Sequence, residues 1–312
     1  MKHVVYSCND CYIEQTLISM VSLLKYNTGP FQIWVVSDHI SEENKALLKE
    51  KAARYQAECC FLNADEVFDG IVFSGETRHP RTIYAKLFLE HMIPAERVLY
   101  LDSDTVIGKG LDALWERDME DELVAGIQMP YSRSLKTRLG VNADSPYLCD
   151  GVVLIHLDLW RRMHIGARCK EYIQQKNGAP QMLSEETLNV VCQGRIGVLE
   201  PKFNLMASMI VYTAQQIREL FRADTYYEES ELAEAKHAPV VVHYLNELFN
   251  RPWLEPCDHP YKELYRNERR ELFGEKPYIQ QELSKHTQRT RKMQKVLPFW
   301  MFAAIYHLKH KE

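Results

Sequence analysis

The first hundred residues alternate strand-like runs with helix-like runs, and this alternation constrains the fold more than any other feature of the chain. Apolar residues at helical spacing in 14–26, and a polar segment that begins with Ser41 as an expected N-cap, predict two helices. Runs rich in β-branched and aromatic residues predict strands at 3–7, 31–37 and 59–62. Strands that alternate with helices form mostly parallel sheets covered by helices. We therefore expect an α/β domain that opens with a βαβαβ unit.

The alternation continues for another hundred residues. We predict further helices at 82–91, 157–175 and 184–193, and further strands at 97–101, 123–127 and 151–156. The strand at 97–101 stops at Asp102-Ser103-Asp104, and ligands of open α/β sheets bind outside the carboxyl ends of the strands. These two carboxylates are therefore the first candidates for a functional site.

Composition narrows the class of function. The chain has 312 residues, of which 46% are hydrophobic and 26% charged, so it can build a large core. Its net charge of -5 argues against a nucleic-acid partner, because that affinity depends on neutralising phosphates. The eight cysteines are scattered, and no long apolar run follows the N-terminus. We therefore expect a reducing, cytoplasmic location.

The two carboxylates are compatible with two chemistries. Asp102 and Asp104, one residue apart at a strand end, suit a hard divalent cation that bridges the oxygens of a sugar nucleotide's diphosphate. Residues 99–106 also match the opening motif of haloacid-dehalogenase-type phosphatases, in which Asp102 would be the nucleophile and Asp104 the acid/base. That motif normally lies on the first strand of its domain, whereas about 100 residues precede it here. We favour the sugar nucleotide and keep the phosphatase as the alternative.

Several other sequence blocks accompany this motif in a characteristic order. They lie at 82–87, 98–104, 114–115, 151–157, 188–189, 202–204, 242–244 and 251–253. Together they make the chain resemble the family 8 glycosyltransferases over roughly residues 2–255. The resemblance implies a GT-A fold over residues 1–275, a Rossmann-like mixed sheet flanked by helices. It also implies a UDP-hexose donor (glucose or galactose), Mn²⁺ with Mg²⁺ possible, and retaining transfer to a saccharide or glycolipid acceptor.

The resemblance supplies candidate residues for the metal and the donor. The metal ligands would be Asp102, Asp104 and His243; without the family context, His243 would be interpreted as an ordinary strand-end histidine. An imidazole that joins two carboxylates shifts preference from magnesium towards manganese. The residues matched to the nucleotide sugar are Asn9, Tyr12, Lys86, Asp102, Ser103, Asp104 and Arg251. Tyr12 is expected to stack on uracil and Arg251 to hold the diphosphate, while the alternative for Lys86 is a solvated helix cation.

The sequence departs from the family around the sugar. Cys149 stands where the family has an Asn that contacts the donor, so the neighbouring Asp150 is the candidate to take over that contact. Ser184-Glu185 stands where the family has Asp-Gln. Glu185 and Asp150 are the candidate catalytic residues, acting as nucleophile or as stabilisers of an oxocarbenium-like state. The alternative for Ser184 is a helix N-cap. These departures keep open a catalytically impaired protein of the same fold that only binds a nucleotide or glycan.

Residues 276–312 form a tail of different composition. Residues 284–311 contain seven Lys or Arg and no Asp or Glu, around an apolar run of thirteen residues at 296–308. That run is too short to span a bilayer. We expect residues 284–312 to contact the cytoplasmic face of the membrane peripherally, the alternative being a helix docked on the protein body. The acceptor is expected to contact the variable loops at 78–81 and 129–146.

Overall fold

The computed structural model describes residues 1–74, 80–245 and 248–309. The strands in these ranges are β1 (Lys2–Cys8), β2 (Phe31–Ser37), β3 (Glu58–Asn63), β4 (Val98–Leu101), β5 (Thr105–Ile107), β6 (Val124–Gln128), β7 (Leu148–Ile155), β8 (Ile196–Val198), β9 (Val241–His243), β10 (Leu254–Glu255) and β11 (Ile279–Gln280). The α-helices are α1 (Ile13–Tyr26), α2 (Glu42–Ala53), α3 (Ala64–Val67), α4 (Asp112–Trp115), α5 (Arg133–Arg138), α6 (Leu157–Met163), α7 (Ile165–Gln175), α8 (Leu183–Cys192), α9 (Ala207–Val211), α10 (Ala214–Phe221), α11 (Glu229–His237), α12 (Lys262–Phe273), α13 (Lys285–Val296) and α14 (Phe299–Lys309). Short 3-10 segments lie at Asp10–Tyr12, Arg81–Leu87 and Pro201–Phe203.

A central mixed sheet has the strand order β3-β2-β1-β4-β7-β6-β8. Strand β7 runs antiparallel to both of its neighbours, and the other neighbouring pairs in this sheet are parallel. Because β1 and β4 are parallel neighbours, the residues that follow them meet at one edge of the sheet. A separate antiparallel pair, β5 with β9, stands next to that edge and brings residues 241–243 to it.

Apolar side chains cover both faces of the central sheet. In β1, Val4 and Tyr6 belong to a core shared with α1, whereas Val5 belongs to a second core shared with α7 and α8. A strand buried on both faces has no polar face, so it is a nearly continuous apolar run in sequence. The opening βαβαβ unit is confirmed, and the Ser41 hydroxyl caps α2 by accepting a bond from the Asn44 N–H at 3.4 Å.

The helix predicted at 82–91 is wrong. Arg81–Leu87 forms a 3-10 segment, and the residues after it continue as turns and bends. An amphipathic helix needs one solvated face. Here Thr82, Tyr84, Ala85 and even Lys86 are buried, so tertiary contacts on several sides set the backbone.

Two other predicted elements have different bounds. The helix predicted at 157–175 is divided into α6 and α7 at His164, whose φ of 52° lies in the left-handed region. The strand predicted at 151–156 begins at Leu148, so Asp150 lies inside β7. This extension is held by Asn189 of α8, whose amide bonds the N–H and the C=O of Leu148 at 2.7 and 2.9 Å.

The tail packs on the protein body. Phe302 of α14 is buried and stacks with Tyr212, and Tyr306 contacts Phe221. The ring of His307 lies 3.1 Å from the Leu220 carbonyl. One face of α14 is therefore docked on the protein body, as the alternative to membrane contact expects. In the three ranges described, no helix has the length and apolar composition needed to cross a bilayer.

Candidate active site

The loop after β4 holds both carboxylates of the Asp-x-Asp motif. The Asp102 N–H donates to the Gly151 carbonyl at 2.8 Å, which fixes the loop to β7. The Thr105 hydroxyl donates to the Asp102 carbonyl at 2.8 Å, and the Tyr244 N–H donates to the Asp104 carbonyl at 2.9 Å. The backbone of both Asp residues is therefore held by hydrogen bonds to β7, to β5 and to the residue after β9.

Strand pairing brings His243 to these carboxylates. Thr105 in β5 pairs with His243 in β9, so a residue 139 positions beyond Asp104 lies beside it. The Nε2 of His243 is 3.0 Å from Asp104 Oδ1 and 4.0 Å from Asp102 Oδ2. The ligand atoms of the three residues all lie within 4.8 Å of one another. His243 thus ends strand β9 and also belongs to a cluster of three residues that could hold a metal ion.

This donor set fits a divalent cation. Two carboxylates and one imidazole suit a first-row divalent metal. Gly151 makes the space beside them: a Cβ there would lie 2.3 Å from His243 Cε1 and 2.8 Å from Asp102 Oδ2. The close approach of three ligands therefore depends on a glycine.

Lys86 is buried behind the cluster. Its side chain is 2% exposed, and its Nζ lies 3.4 Å from Asp102 Oδ1 and 3.1 Å from Asp150 Oδ2, and donates to the Asp150 carbonyl at 2.9 Å. Burial lowers the pKa of Lys86, but the two carboxylates outweigh it and hold the pKa above its ordinary value. The amine stays charged, and the alternative of a solvated helix cation is wrong.

The pKa values of the two carboxyl groups in the cluster move apart. Burial raises the pKa of Asp102, and the like charge of Asp150 raises it further, while Lys86 and His243 offset these effects only in part. Burial also disfavours the charged form of Asp104, but His243 and Arg251 outweigh it and lower the pKa of that carboxyl. Asp104 is therefore the more firmly ionised member of the pair.

A cavity of about 220 Å³ opens beside the carboxylates. Its lining residues are Ser7, Cys8, Asn9, Tyr12, Pro80, Thr82, Ile83, Asp102, Ser103, Asp104 and Arg251. Tyr12 is 37% exposed there, and its hydroxyl accepts a bond from Arg251 at 3.3 Å. Asn9 accepts from the Cys11 N–H at 3.1 Å, and Ser103 shares a 2.8 Å hydrogen bond with Thr16. Four of the residues matched to the donor thus lie around one cavity with the two carboxylates.

Arg251 lies at the edge of this cavity, and only part of its guanidinium is engaged in hydrogen bonds within the described residues. Its Nη2 is 3.3 Å from Asp104 Oδ2. Its Nε is buried and has no hydrogen-bond partner within the described ranges. A buried donor without an acceptor is costly, so an anion that reaches this edge would gain a ready partner.

On the other side of the cluster, Asp150 and Ser184 contact each other. The Ser184 hydroxyl donates to Asp150 Oδ2 at 2.6 Å. Helix α8 begins at Leu183, and Met182 occupies the N-cap position without a side-chain bond, so the N-cap alternative for Ser184 is wrong. Glu185 is half-buried and accepts a bond from the Tyr131 hydroxyl at 3.3 Å.

Three residues of the site had no role in the sequence analysis. Gly151 provides the space described above, Thr16 supports Ser103, and Asn204 contacts the ring of His243 at 3.1 Å. Gly151 and Asn204 lie in the family blocks, which is the signal that marks them. Nothing in the local sequence of Thr16 points to the site, because its partner is 87 positions away.

Known proteins resemble this chain in both sequence and fold. The model of "Glycosyl transferase family 8" matches residues 3–257. A "Putative glycosyltransferase" of Haemophilus influenzae is 23% identical, over 82% of this chain and 74% of its own length. The "General stress protein A" of Bacillus subtilis is 21% identical, over 84% of this chain and 91% of its own length.

Solved structures share the fold. The galactosyltransferase LgtC in complex with donor and acceptor sugar analogues superposes with a TM-score of 0.70 at 22% identity, over 88% of this chain and 97% of that chain. The glycosyltransferase GlyE of Streptococcus pneumoniae gives a TM-score of 0.63 at 16% identity, over 99% of this chain and 63% of that one. The GT-A fold expected from the sequence is confirmed.

The family match covers both carboxylates and His243, and it rules against the phosphatase alternative. The Asp-x-Asp motif follows the fourth strand of the chain, at the centre of the sheet, and not the first strand. The match over residues 3–257 identifies the chain as a member of glycosyl transferase family 8.

Proposed function

We propose that this glycosyltransferase moves a hexose, glucose or galactose, from a UDP-sugar to a saccharide or glycolipid acceptor with retention of anomeric configuration. The observation that carries the proposal is the cluster of Asp102, Asp104 and His243 at the wall of a cavity that also holds Tyr12 and Arg251. A metal beside a cavity with an aromatic ring and a free cationic donor suits a nucleoside diphosphate. Asp102, Asp104 and His243 would hold Mn²⁺, with Mg²⁺ possible, which supplies positive charge for the departing diphosphate.

Cationic side chains of the protein would help to neutralise the negative charge of the departing UDP. Arg251 offers a buried, unpartnered Nε among the described residues, and a guanidinium binds phosphate oxygens through a planar fork. Tyr12 is exposed enough to stack on uracil, with Asn9 beside it for polar contact to the base. Lys86 keeps a permanent positive charge behind Asp102 and Asp150.

Asp150 and Glu185 would stabilise the positive charge that develops on the transferred sugar. Ser184 and Lys86 both contact Asp150 Oδ2, so this carboxylate is held in one orientation. Departure of UDP leaves positive charge at the anomeric carbon, which a fixed carboxylate stabilises. The acceptor hydroxyl would then attack from the side that the leaving group vacates and pass its proton to the departing diphosphate, which gives retention. Glu185, held by Tyr131, is the second carboxylate available to this step.

The acceptor would lie towards the tail. Tyr131, which bonds Glu185, also lines a second cavity of about 290 Å³. The apolar floor of that cavity is built by Tyr212 and Phe221 of the body and by Phe302 and Tyr306 of α14. An apolar cavity that adjoins the sugar side favours an acceptor with an apolar part, such as a glycolipid.

The outer face of α14 supports peripheral contact with the cytoplasmic membrane face. Trp300 and Leu308 are 67% and 69% exposed, next to the basic helix α13. Exposed apolar side chains beside Lys and Arg suit an anionic bilayer interface. The double change Trp300→Ser and Leu308→Ser should release the protein from anionic phospholipid vesicles, whereas Ile279→Ser, at an exposed apolar position away from α14, should not. Equal sedimentation of both variants with vesicles would refute the membrane contact.

The decisive experiment is UDP release from UDP-glucose, UDP-galactose and their N-acetyl forms, with Mn²⁺, Mg²⁺ or EDTA and no acceptor. Mn²⁺-dependent release from one donor supports the proposal and identifies the sugar. Asp104→Asn should abolish it, while Asp112→Asn, a change of an exposed carboxylate paired with Lys2, should leave it unchanged.

The second candidate function is nucleotide or glycan binding without turnover. The observation that favours it is the replacement of the family's carboxylate by Ser184, which leaves Asp150 engaged with Lys86 and Ser184. It predicts UDP binding in a calorimetric titration, with no UDP release from any donor. Release from one donor rejects it.

A further inference from the structure

Asn204 is a buried amide that contacts the metal-ligand candidate His243. Asn204 is 0% exposed and His243 is 1% exposed. The Oδ1 of Asn204 lies 3.1 Å from Nδ1 of His243, while the opposite ring nitrogen, Nε2, faces Asp104. One ring nitrogen therefore points at an amide and the other at the metal cluster.

The backbone holds these two side chains in register. The Leu205 N–H donates to the Val241 carbonyl at 2.8 Å, and the His243 N–H donates to the Leu205 carbonyl at 3.0 Å. Asn204 precedes this ladder directly, at the end of the Pro201–Phe203 turn. The amide is thus fixed to the strand that carries the histidine.

We propose that Asn204 sets the tautomer of His243 for metal binding. A neutral imidazole carries one proton, and only the nitrogen without it can donate a lone pair to a cation. When Asn204 Oδ1 accepts the Nδ1–H, the Nε2 lone pair is free and directed at the cluster. The opposite tautomer would place the proton on Nε2, where the metal has to bind. This inference rests on the metal site of the proposed function.

The Nδ2 group of Asn204 indicates that this residue contributes to the metal site and not to the stability of the fold. Asn204 Nδ2 is buried and has no hydrogen-bond partner in the part of the chain that the structure describes. A buried amide that satisfies only one end is costly for folding, and an apolar side chain of similar size would avoid that cost. Within the described residues, the side-chain hydrogen bond that Asn204 does make is the one to His243. Groups that orient metal-ligating histidines in this way typically contribute about 10-fold to 100-fold to metal affinity.

The test is a titration of the full chain with Mn²⁺ in the absence of any sugar donor. Electron paramagnetic resonance measures the concentration of the free ion. Asn204→Ala should lower Mn²⁺ affinity about 10-fold to 100-fold. Asn204→Asp should keep most of the affinity, because a carboxylate still accepts the Nδ1–H. The matched control is Asn27→Ala, which removes another buried amide, bonded to Leu23 and Leu111, at the C-terminal end of α1. This control should bind Mn²⁺ like the wild type.

The tautomer itself is read by nitrogen-15 NMR of the wild type loaded with diamagnetic Mg²⁺, with the His243 signal identified by its loss in His243→Gln. The expected signature is a protonated Nδ1, and a protonated Nε2 would overturn the inference even if Asn204→Ala failed to fold. Wild-type Mn²⁺ affinity in a folded Asn204→Ala would also overturn it, while leaving the proposed function intact. A wild type that binds neither cation would instead overturn the metal site of the proposed function, and this inference with it.

Discussion

Replacing Gly151 by Ala tests whether the metal cluster depends on the space that this glycine leaves. The new Cβ would lie 2.3 Å from His243 Cε1, 2.8 Å from Asp102 Oδ2 and 3.0 Å from His243 Nδ1. Ordinary contact begins at 3.4 Å, so the ring would have to shift by about 1.1 Å. The backbone at this position cannot retreat easily, because the Gly151 carbonyl accepts the Asp102 N–H at 2.8 Å within the central sheet.

That shift exceeds what a functional site tolerates. Catalytic and metal sites need their groups within about 0.5 Å of the productive geometry, and a misplacement of about 1 Å costs roughly 100-fold in rate. Overpacking a buried site costs about 1–3 kcal/mol of folding free energy. We therefore expect Gly151→Ala to stay folded, to lose about 100-fold in UDP release, and to bind Mn²⁺ much more weakly.

The assay pairs this variant with Gly108→Ala. A Cβ at Gly108 would meet the Pro239 carbonyl at 3.5 Å and Leu264 Cδ1 at 3.9 Å, which are ordinary contacts. Both proteins are compared by urea unfolding, by Mn²⁺ titration and by UDP release. If Gly151→Ala released UDP within threefold of Gly108→Ala, the reasoning from space at the cluster would be refuted.

Two further changes test the surroundings of the cluster, and a third prediction concerns the buried side chain of His259. Lys86→Met leaves Asp102 and Asp150 without their buried cation, so we expect a loss of about 3–5 kcal/mol in the free energy of unfolding, measured in urea; an unchanged midpoint would contradict this. Ser184→Ala removes the 2.6 Å bond to Asp150, so UDP release should fall about 10-fold while Mn²⁺ affinity stays unchanged, and a parallel loss of both would be inconsistent with a role on the sugar side. Burial lowers the pKa of His259 from 6.5 to about 4, so the unfolded chain binds this proton more readily and stability falls as the pH drops through that interval. Urea unfolding should show a loss of about 2 kcal/mol between pH 7 and pH 5 that disappears in His259→Gln, and an identical pH dependence in that variant would disprove the assignment.

The sequence predicted most of the sheet and the Asp-x-Asp part of the site, because both depend on neighbours along the chain. The strand β2 follows from a short apolar run, and the start of α2 follows from Ser41 and its bond to Asn44. The position of Asp102 at a strand end follows in the same way, because an apolar run stops there. His243 was found through the family resemblance alone, since the residues around it only indicate the end of a strand.

Tertiary structure decided the features that join distant segments. Pairing of β5 with β9 carries His243 to Asp104 across 139 positions, and the turn at Asn204 comes to the same ring from 39 positions away. Segment 82–91 has helix-forming residues, but burial of Lys86 between two carboxylates outweighs that propensity.

The tail and the sugar side of the site show the same distinction between local sequence and tertiary contacts. Composition alone marked residues 284–311 as basic and apolar, but packing of Phe302 on Tyr212 decided which face of α14 stays exposed. Likewise, Ser184 looks like a helix cap in sequence and becomes the partner of Asp150 only when α8 packs against β7. Periodicity and capping are local and are encoded in adjacent residues, whereas the contacts that assemble a site exist only after the chain has brought remote segments together.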